Sequence, residues 1–443
     1  MTRFVSPWVA IIIALIPAAA VAQQNYTLVN LTAGSPYVQT SANGINNAGH
    51  ITGFGVLPVS GQIDAFLYSN GTFHDLGTFG FPAADGITIN STDQLGVDGI
   101  QPGSTALFYS NGQVVQIGNV DGGYSYCAAI NNHGDIVGAA RNGDGNEVGF
   151  SWIGGVFTDL SPLGFILTTN FNDSDQIIGA SGYYWHYGSS YHALLYSNGV
   201  ATDLGSLTGN PRTNTEPYGI NAAGQIVGYS QWSDGVNHAF LYSNGTMQDL
   251  GTIGTEYATA VAINNNGVIV GNLTNAYNAN LGAFVYANGA MTDLSTLISS
   301  GGDGWSALTV SGLNDGGYIV GTGTYNGGSQ GFLLIPTGPA AVGNLQVALP
   351  SAISEAAPNP FRADTRIEFQ VSARAAAGNI RLQIFDPAGR RVATLLDQRL
   401  DPGPHSIFWN GRADGGAALQ SGVYLAHLSL LDGSMSEKLV LMK

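Results

Sequence analysis

Aromatic rings and carboxylates fall together at positions where the chain is expected to turn. One run reads Tyr183-Tyr184-Trp185-His186-Tyr187 and ends near Tyr191, and Trp232 holds a comparable place further on. A second set, Tyr124, Tyr218, Tyr257 and Trp305, is accompanied by Asp121, Glu216, Glu256 and Asp303. Flat rings stack on the C–H faces of sugars while carboxylates and amides bond their hydroxyls, so the mixture suits a glycan or a surface polymer. Tyr124, Tyr183, Trp185, His186, Trp232, Glu256, Tyr257 and Trp305 are the candidate ligand-binding residues. Three function classes could use such a set. One is a non-enzymatic binding module. Another is a polysaccharide hydrolase or lyase, with Glu216 and Glu256 as acid and base. The third is a structural envelope protein whose rings only cover loop bases.

The remaining reactive side chains point elsewhere. Cys127, the single cysteine, adjoins an apolar run and reads as a buried inert thiol. His192 and His238 have no nearby second His or Cys and are expected to bond locally. Asn142 to Glu147 alternates oxygen donors but lacks the terminal bidentate spacing of a calcium loop. Gly327-Gly328-Ser329-Gln330-Gly331 spells a nucleophile elbow with no helix to follow it. No residue is assigned a catalytic or metal-binding role, and no cofactor is expected.

The elements that must position the rings come from a repeat. Gly53, Gly96, Gly138, Gly179, Gly228, Gly271 and Gly321 each close an Ile-Val-Gly-like run, at spacings of 43, 42, 41, 49, 43 and 50. Four strands fit each unit: strand a ends in Ile-Asn, b is the Gly-x-Ile-Val-Gly run, c is His-Ala-Phe-Leu-Tyr, and d ends in Asp-Leu. Asn-Gly pairs such as Asn244-Gly245 link c to d, as a tight hairpin requires. Asp75, Asp159, Asp203, Asp249 and Asp293 recur at the end of strand d, where a carboxylate can accept backbone N–H bonds. The seventh unit stops at Ile335-Pro336 without an Asp-Leu, and Tyr26–Leu31 can supply the missing strand. The expected fold is all-β: a closed seven-bladed β-propeller over 23–337, then a small Ig-like β-sandwich. With a strands lining the channel, the b–c loops and d-to-a connectors share one face, and it carries the candidate rings.

Charge and targeting bound the setting. Residues 1–22 read as a Sec-type signal peptide: Arg3, an apolar run from Trp8 to Ile16, then Ala20-Val21-Ala22. No segment of the mature chain is long and apolar enough to span a membrane. Residues 23–352 hold two basic against twenty acidic residues, a net of −18, which would repel phosphate backbones and excludes nucleic acid as a partner. Residues 353–443 hold ten basic against nine acidic, a net of +1.

The units resemble the HAF-type extracellular repeat family, through His238-Ala239-Phe240 and its variants Asp64-Ala65-Phe66, His192-Ala193-Leu194 and Gly282-Ala283-Phe284. That resemblance spans about residues 25–336 and implies an exported β-repeat protein. A linker over 338–352 precedes the tail. Pro358-Asn359-Pro360-Phe361, Ile384-Phe385-Asp386-Pro387-Ala388-Gly389, Trp409-Asn410-Gly411-Arg412, Ser421-Gly422-Val423-Tyr424 and the closing Lys438–Lys443 look like a type IX secretion C-terminal sorting domain. They look equally like the Ig-like domain of flagellar hook-capping proteins. The sorting resemblance implies an outer-membrane secretion machinery as partner, and an extracellular or cell-surface address.

Overall fold

The computed structural model describes residues 24–337 apart from 101–103, 186–187 and 255–256, and residues 352–443 apart from 354–355, 357, 372–377, 401–402 and 432. The segments expected to be a signal peptide, 1–22, and a linker, 338–351, lie outside the described residues, as do His186 and Glu256. The described chain is nearly all β, with helical geometry confined to two short 3-10 turns, Ser161–Leu163 and Leu294–Leu297.

Units 1 to 6 are each a four-stranded antiparallel sheet in chain order. Unit 5 shows the pattern: Thr215–Ile220, Ile226–Gln231, Asn237–Ser243 and Thr246–Gly251. The repeated Asn is the clamp of the a–b turn. In unit 6 the Asn264 carboxamide oxygen accepts from Asn266 and Val268 backbone N–H groups (both 3.0 Å), and its Nδ2 donates to the Asn314 carbonyl of the next unit (3.1 Å). The same side-chain-to-carbonyl link joins Asn46 to Asn90, Asn90 to Asn131, Asn172 to Asn221, Asn221 to Asn264 and Asn314 to Asn46. Satisfying three buried backbone groups per turn explains why Asn, and not another turn residue, recurs there.

The register glycine has a steric cause. A Cβ on Gly228 would sit 1.9 Å from the Glu216 carbonyl oxygen on strand a, and Gly53, Gly138, Gly179, Gly271 and Gly321 are equally tight. Unit 2 departs from the expected register. Val97, not Gly96, takes this place, opposite Gly86 on strand a, while the other units pair a glycine there with Ala42, Cys127, Thr168, Pro217, Ala260 or Val310. The residue without a side chain has moved to the partner strand.

Both faces of each sheet are apolar because sheets stack on sheets. One core joins Ile178 and Ala193 of unit 4 to Ile226 and Phe240 of unit 5. Phe66, Phe150, Phe240, Phe284 and Phe332, at the same place in strand c of five units, are completely buried. Truncating one of these to Ala removes about 3–5 kcal/mol.

Unit 7 draws on both ends of the body. Its sheet runs, from outside inward, Ile298–Ser300, Asn25–Asn30, Gly328–Thr337, Ile319–Tyr325 and Trp305–Leu313. Asn30 lies opposite Phe332, as Asp249 lies opposite Phe240, and its Nδ2 donates to Gln330 Oε1 at 2.6 Å. The outermost strand, Ile298–Ser300, was not expected; it pairs parallel to Tyr26–Thr27. Unit 7 also touches unit 1: Ser311 Oγ donates to the Ala42 carbonyl, and Thr40 Oγ1 accepts from Gly331 N. The first strands of successive units lie against one another through all seven, the seventh against the first.

The tail is an Ig-like pair of sheets. One holds Ala352–Ile353, Thr365–Val371 and Gly403–Trp409; the other holds Arg391–Gln398, Ile380–Phe385, Gly422–Leu430 and Gly433–Leu441. Motifs scattered along the sequence meet in its core. The Trp409 ring lies 5.5 Å from Phe361 and 5.4 Å from Tyr424, its indole N–H donates to the Arg412 carbonyl, and Tyr424 donates to the Gln420 carbonyl. Asn359 clamps the last strand, donating to Lys438 O and accepting from Val440 N.

Candidate functional site

Tyr124, Trp232 and Trp305 sit at the expected ends of their strands, and each packs within its own unit. Tyr124 begins strand a of unit 3, stacks on Tyr126, and carries the Arg141 guanidinium 5.3 Å over its ring. Arg141 also donates to Glu147 at 3.0 Å. Trp232 lies flat on His238, with centroids 5.2 Å apart and planes within 10°. Trp305 tilts on Tyr325 and meets Phe332 edge-on. Tyr257 is the half-buried first residue of strand a in unit 6. The expected loop at 183–187 is different: Tyr183, Tyr184 and Trp185 continue strand Ile177–Trp185 and pair with Ser190, Ser189 and Gly188. A run of large aromatics favours extended pairing over an open loop.

Trp305 has a concavity beside it. A cavity of about 370 Å³ is lined by Trp305, Asp303, Ser306, Asp293, Ser299 and Leu281, among others. It combines one ring edge, two carboxylates and serine hydroxyls. Tyr277, 91% exposed in the sixth b–c loop, was missed by sequence reasoning, because a lone Tyr inside an Asn-rich turn carries no pattern.

Two carboxylate groupings lie on the a and b strands. Glu216 accepts from the Tyr218 hydroxyl at 2.7 Å and the Tyr229 hydroxyl at 2.9 Å, and burial followed by the Glu216 charge pushes both phenols up. Asp85 and Asp98 are cross-strand partners in unit 2. Asn43 Nδ2 donates to Asp85 and the Cys127 N–H to Asp98, both at 2.7 Å. Removal from water, then the Asp98 charge, pushes Asp85 up to about 8; removal from water pushes Asp98 up to about 7 against the bond from Cys127. Both keep some accessible surface, but protein surrounds the carboxyls closely enough to disfavour charge. The pair could not be read from sequence, because Asp98 holds the place of Phe54 or Tyr229 in other units.

At the opposite end, the a–b turns of all seven units surround a cavity of about 260 Å³. Its rim is a belt of hydrogen bonds between neighbouring turns, such as Asn132 Nδ2 to Asp173 at 2.7 Å and Asn265 Nδ2 to Asp315 at 2.9 Å.

The histidines and strand-d aspartates are accounted for locally. His192 meets Asp203 at 2.8 Å and His238 meets Asp249 at 3.0 Å. Asp75, Asp159, Asp203, Asp249 and Asp293 each accept a backbone N–H two residues on. Asn142 caps its own turn through Asp144 and Asn146 N–H groups.

Residues 354–434 match the FlgD Ig-like domain family. No relative among the curated proteins matches the chain in sequence. Among solved structures, the chain is similar to PorZ, described as an essential bacterial surface component of the type-IX secretion system of Porphyromonas gingivalis. The identity is 13% and the TM-score 0.37, over 92% of this chain and 60% of that one. It is also similar to the tricorn protease, at 10% identity and a TM-score of 0.34, over 90% of this chain and 44% of that one. A third similarity is to latent PorU of Porphyromonas gingivalis, at 11% identity and a TM-score of 0.18, over 94% of this chain and 34% of that one. The chain therefore spans less than two thirds of each. Among the described residues no helix is long and apolar enough to cross a membrane.

Proposed function

We propose that residues 23–337 form a closed seven-bladed β-propeller of HAF-type repeats that acts as a non-enzymatic binding module for a glycan or related surface polymer. The signal peptide at 1–22 exports it, and the tail from 353 addresses it through type IX machinery to the outer surface. The cyclic contacts from unit 7 to unit 1 support the ring. The match of 354–434 to an Ig-like family supports a separate tail module. The single observation that carries the ligand class is the 370 Å³ cavity with Trp305 beside Asp303 and Asp293, since a ring next to carboxylates fits a sugar's two kinds of surface. The test is a glycan array probed with the mature chain. Binding that Trp305→Ala abolishes supports the reading; an array without hits, or hits indifferent to Trp305→Ala, overturns it.

A hydrolase or lyase is the second reading, favoured by the Asp85–Asp98 pair. Two carboxyls held near neutral pH in one site can divide acid and base roles. Reducing-sugar release from an array hit, lost in Asp98→Asn, would move the assignment to it.

A further inference from the structure

The seven a–b turns share one left-handed position, and its occupants differ in a telling way. It is glycine at Gly49, Gly134, Gly224, Gly267 and Gly317, with φ between 73° and 85°. It is aspartate at Asp93 and Asp175, with φ of 62° and 54°. Aspartate enters this region at a higher cost than glycine, so what its carboxylate meets at these two turns is informative.

At Asp93 the partner is a histidine. His50, the residue just before strand b of unit 1, bonds the Asp93 carboxylate at 2.8 and 3.0 Å. Gln94 stands over Gly134, and Gln176 over Gly224, in the same arrangement. Between units 3 and 4 the residue in the His50 place is Asp135, so a carboxylate faces the carboxylate of Asp175. His133 closes the group, and a ligand atom from each of the three lies within 4.8 Å of the others. Asp135 is buried while His133 and Asp175 are exposed, which leaves one side open to solvent.

Like charges at that separation need a counter-charge, and the body has little to offer. Arg141 and Arg212 are its only basic residues, and Arg141 is engaged by Glu147. Asn131 Nδ2 donates to Asp135 Oδ2 at 3.3 Å, as Asn90, Asn172 and Asn221 donate to Gln94, Gln176 and Gln225 at 2.7 to 2.8 Å. Gly154 N–H holds the other Asp135 oxygen at 2.7 Å. The buried carboxylate is thus oriented from behind, as an outer shell orients a metal ligand.

We propose that His133, Asp135 and Asp175 bind one divalent first-row transition ion, for which zinc is the reference, and that the ion ties the turns of units 3 and 4 together. One imidazole nitrogen with two carboxylates fits zinc, with a remaining position for water. Calcium and magnesium require more oxygen ligands than these three residues supply. The site lies on the turn side of the sheets and stands apart from the proposed glycan face.

The test is calorimetric titration of the mature chain with zinc chloride, with magnesium and calcium chlorides as contrasts. One zinc per chain is expected, together with a zinc-dependent rise in the unfolding midpoint. Asp175→Gly restores the residue that five sibling turns use, so the fold should hold while zinc affinity falls at least about tenfold. His133→Ala, at an exposed position, should do the same and carries the test if Asp175→Gly misfolds. Asp93→Gly, which removes the partner of His50 and Asn46 at a different turn, should leave zinc binding unchanged. The proposal is overturned if wild type shows no single-site zinc binding, if both site variants bind zinc as wild type does, or if calcium or magnesium binds as tightly as zinc.

Discussion

Replacing Asn264 with alanine should destabilise the repeat body by about 2–4 kcal/mol. The side chain is 4% exposed and makes three hydrogen bonds, to the Asn314 carbonyl at 3.1 Å and from Asn266 and Val268 N–H at 3.0 Å. Each such bond contributes roughly 1 kcal/mol net, and a buried group left without a partner costs about 1–3 kcal/mol more. Water entering from the turn-side cavity can rescue some of these groups, which places the expected loss below the full sum. Asn265 supplies the control, because its bonds to Ala222 and Asp315 lie at an exposed rim and its replacement should cost less than about 1 kcal/mol. Denaturant unfolding of the mature chain, with slopes compared to confirm a common unfolded state, measures both. A loss under about 1 kcal/mol for Asn264→Ala, or one no larger than for Asn265→Ala, would refute the clamp as the source of turn stability.

Stability should also fall as pH rises. Asp85 has a folded pKa of about 8 against 3.8 for the free side chain, so the fold binds its proton more tightly than the unfolded chain does. The favourable contribution is complete below about pH 4, declines through the neutral range, and is gone above about pH 8; discounted for the water that reaches the carboxyl, it amounts to about 2–4 kcal/mol. Unfolding curves at pH 5 and 8.5 should show this drop in wild type and a smaller one in Asp85→Asn; equal slopes with pH would contradict it. Gly228→Ala should cost more than about 2 kcal/mol in unfolding assays, since the new Cβ meets the Glu216 carbonyl oxygen at 1.9 Å and backbone cannot yield cheaply. Trp409→Ala should cost the tail about 3–5 kcal/mol through loss of its contacts with Phe361 and Tyr424. Limited proteolysis should then release a body ending near residue 337 with its own unfolding transition unchanged.

Much of the fold was legible because the repeat supplies seven readings of one pattern. The Asn-Gly hairpins, the strand-d aspartates and the Asn30-Leu31 match to Asp-Leu all follow from local turn chemistry, which sequence displays directly. Legibility ended where one unit makes its own arrangement. Unit 2 moved its register glycine to strand a, unit 4 extended a hairpin through Trp185, and Ile298–Ser300 paired with a strand, Asn25–Asn30, more than 260 residues earlier. The site was less visible still. His50 with Asp93, Asn43 with Asp85, and His133 with Asp175 stand more than forty residues apart and meet only because neighbouring units stack. The rings were easier to see, though the sequence did not show that Tyr124, Trp232 and Trp305 each spend one face on a partner within the same unit.

The joining of the first strand to the last unit can be measured by cross-linking. Thr27 and Ile335 are partners in that pairing, both partly exposed, and cross-strand neighbours lie within disulfide reach. The doubly substituted Thr27→Cys, Ile335→Cys chain should oxidise to an intramolecular disulfide, seen as one linked peptide by mass spectrometry, with the buried Cys127 left reduced. Free thiols at both positions under the same oxidising conditions, in a folded protein, would contradict a ring closed by its own amino-terminal strand.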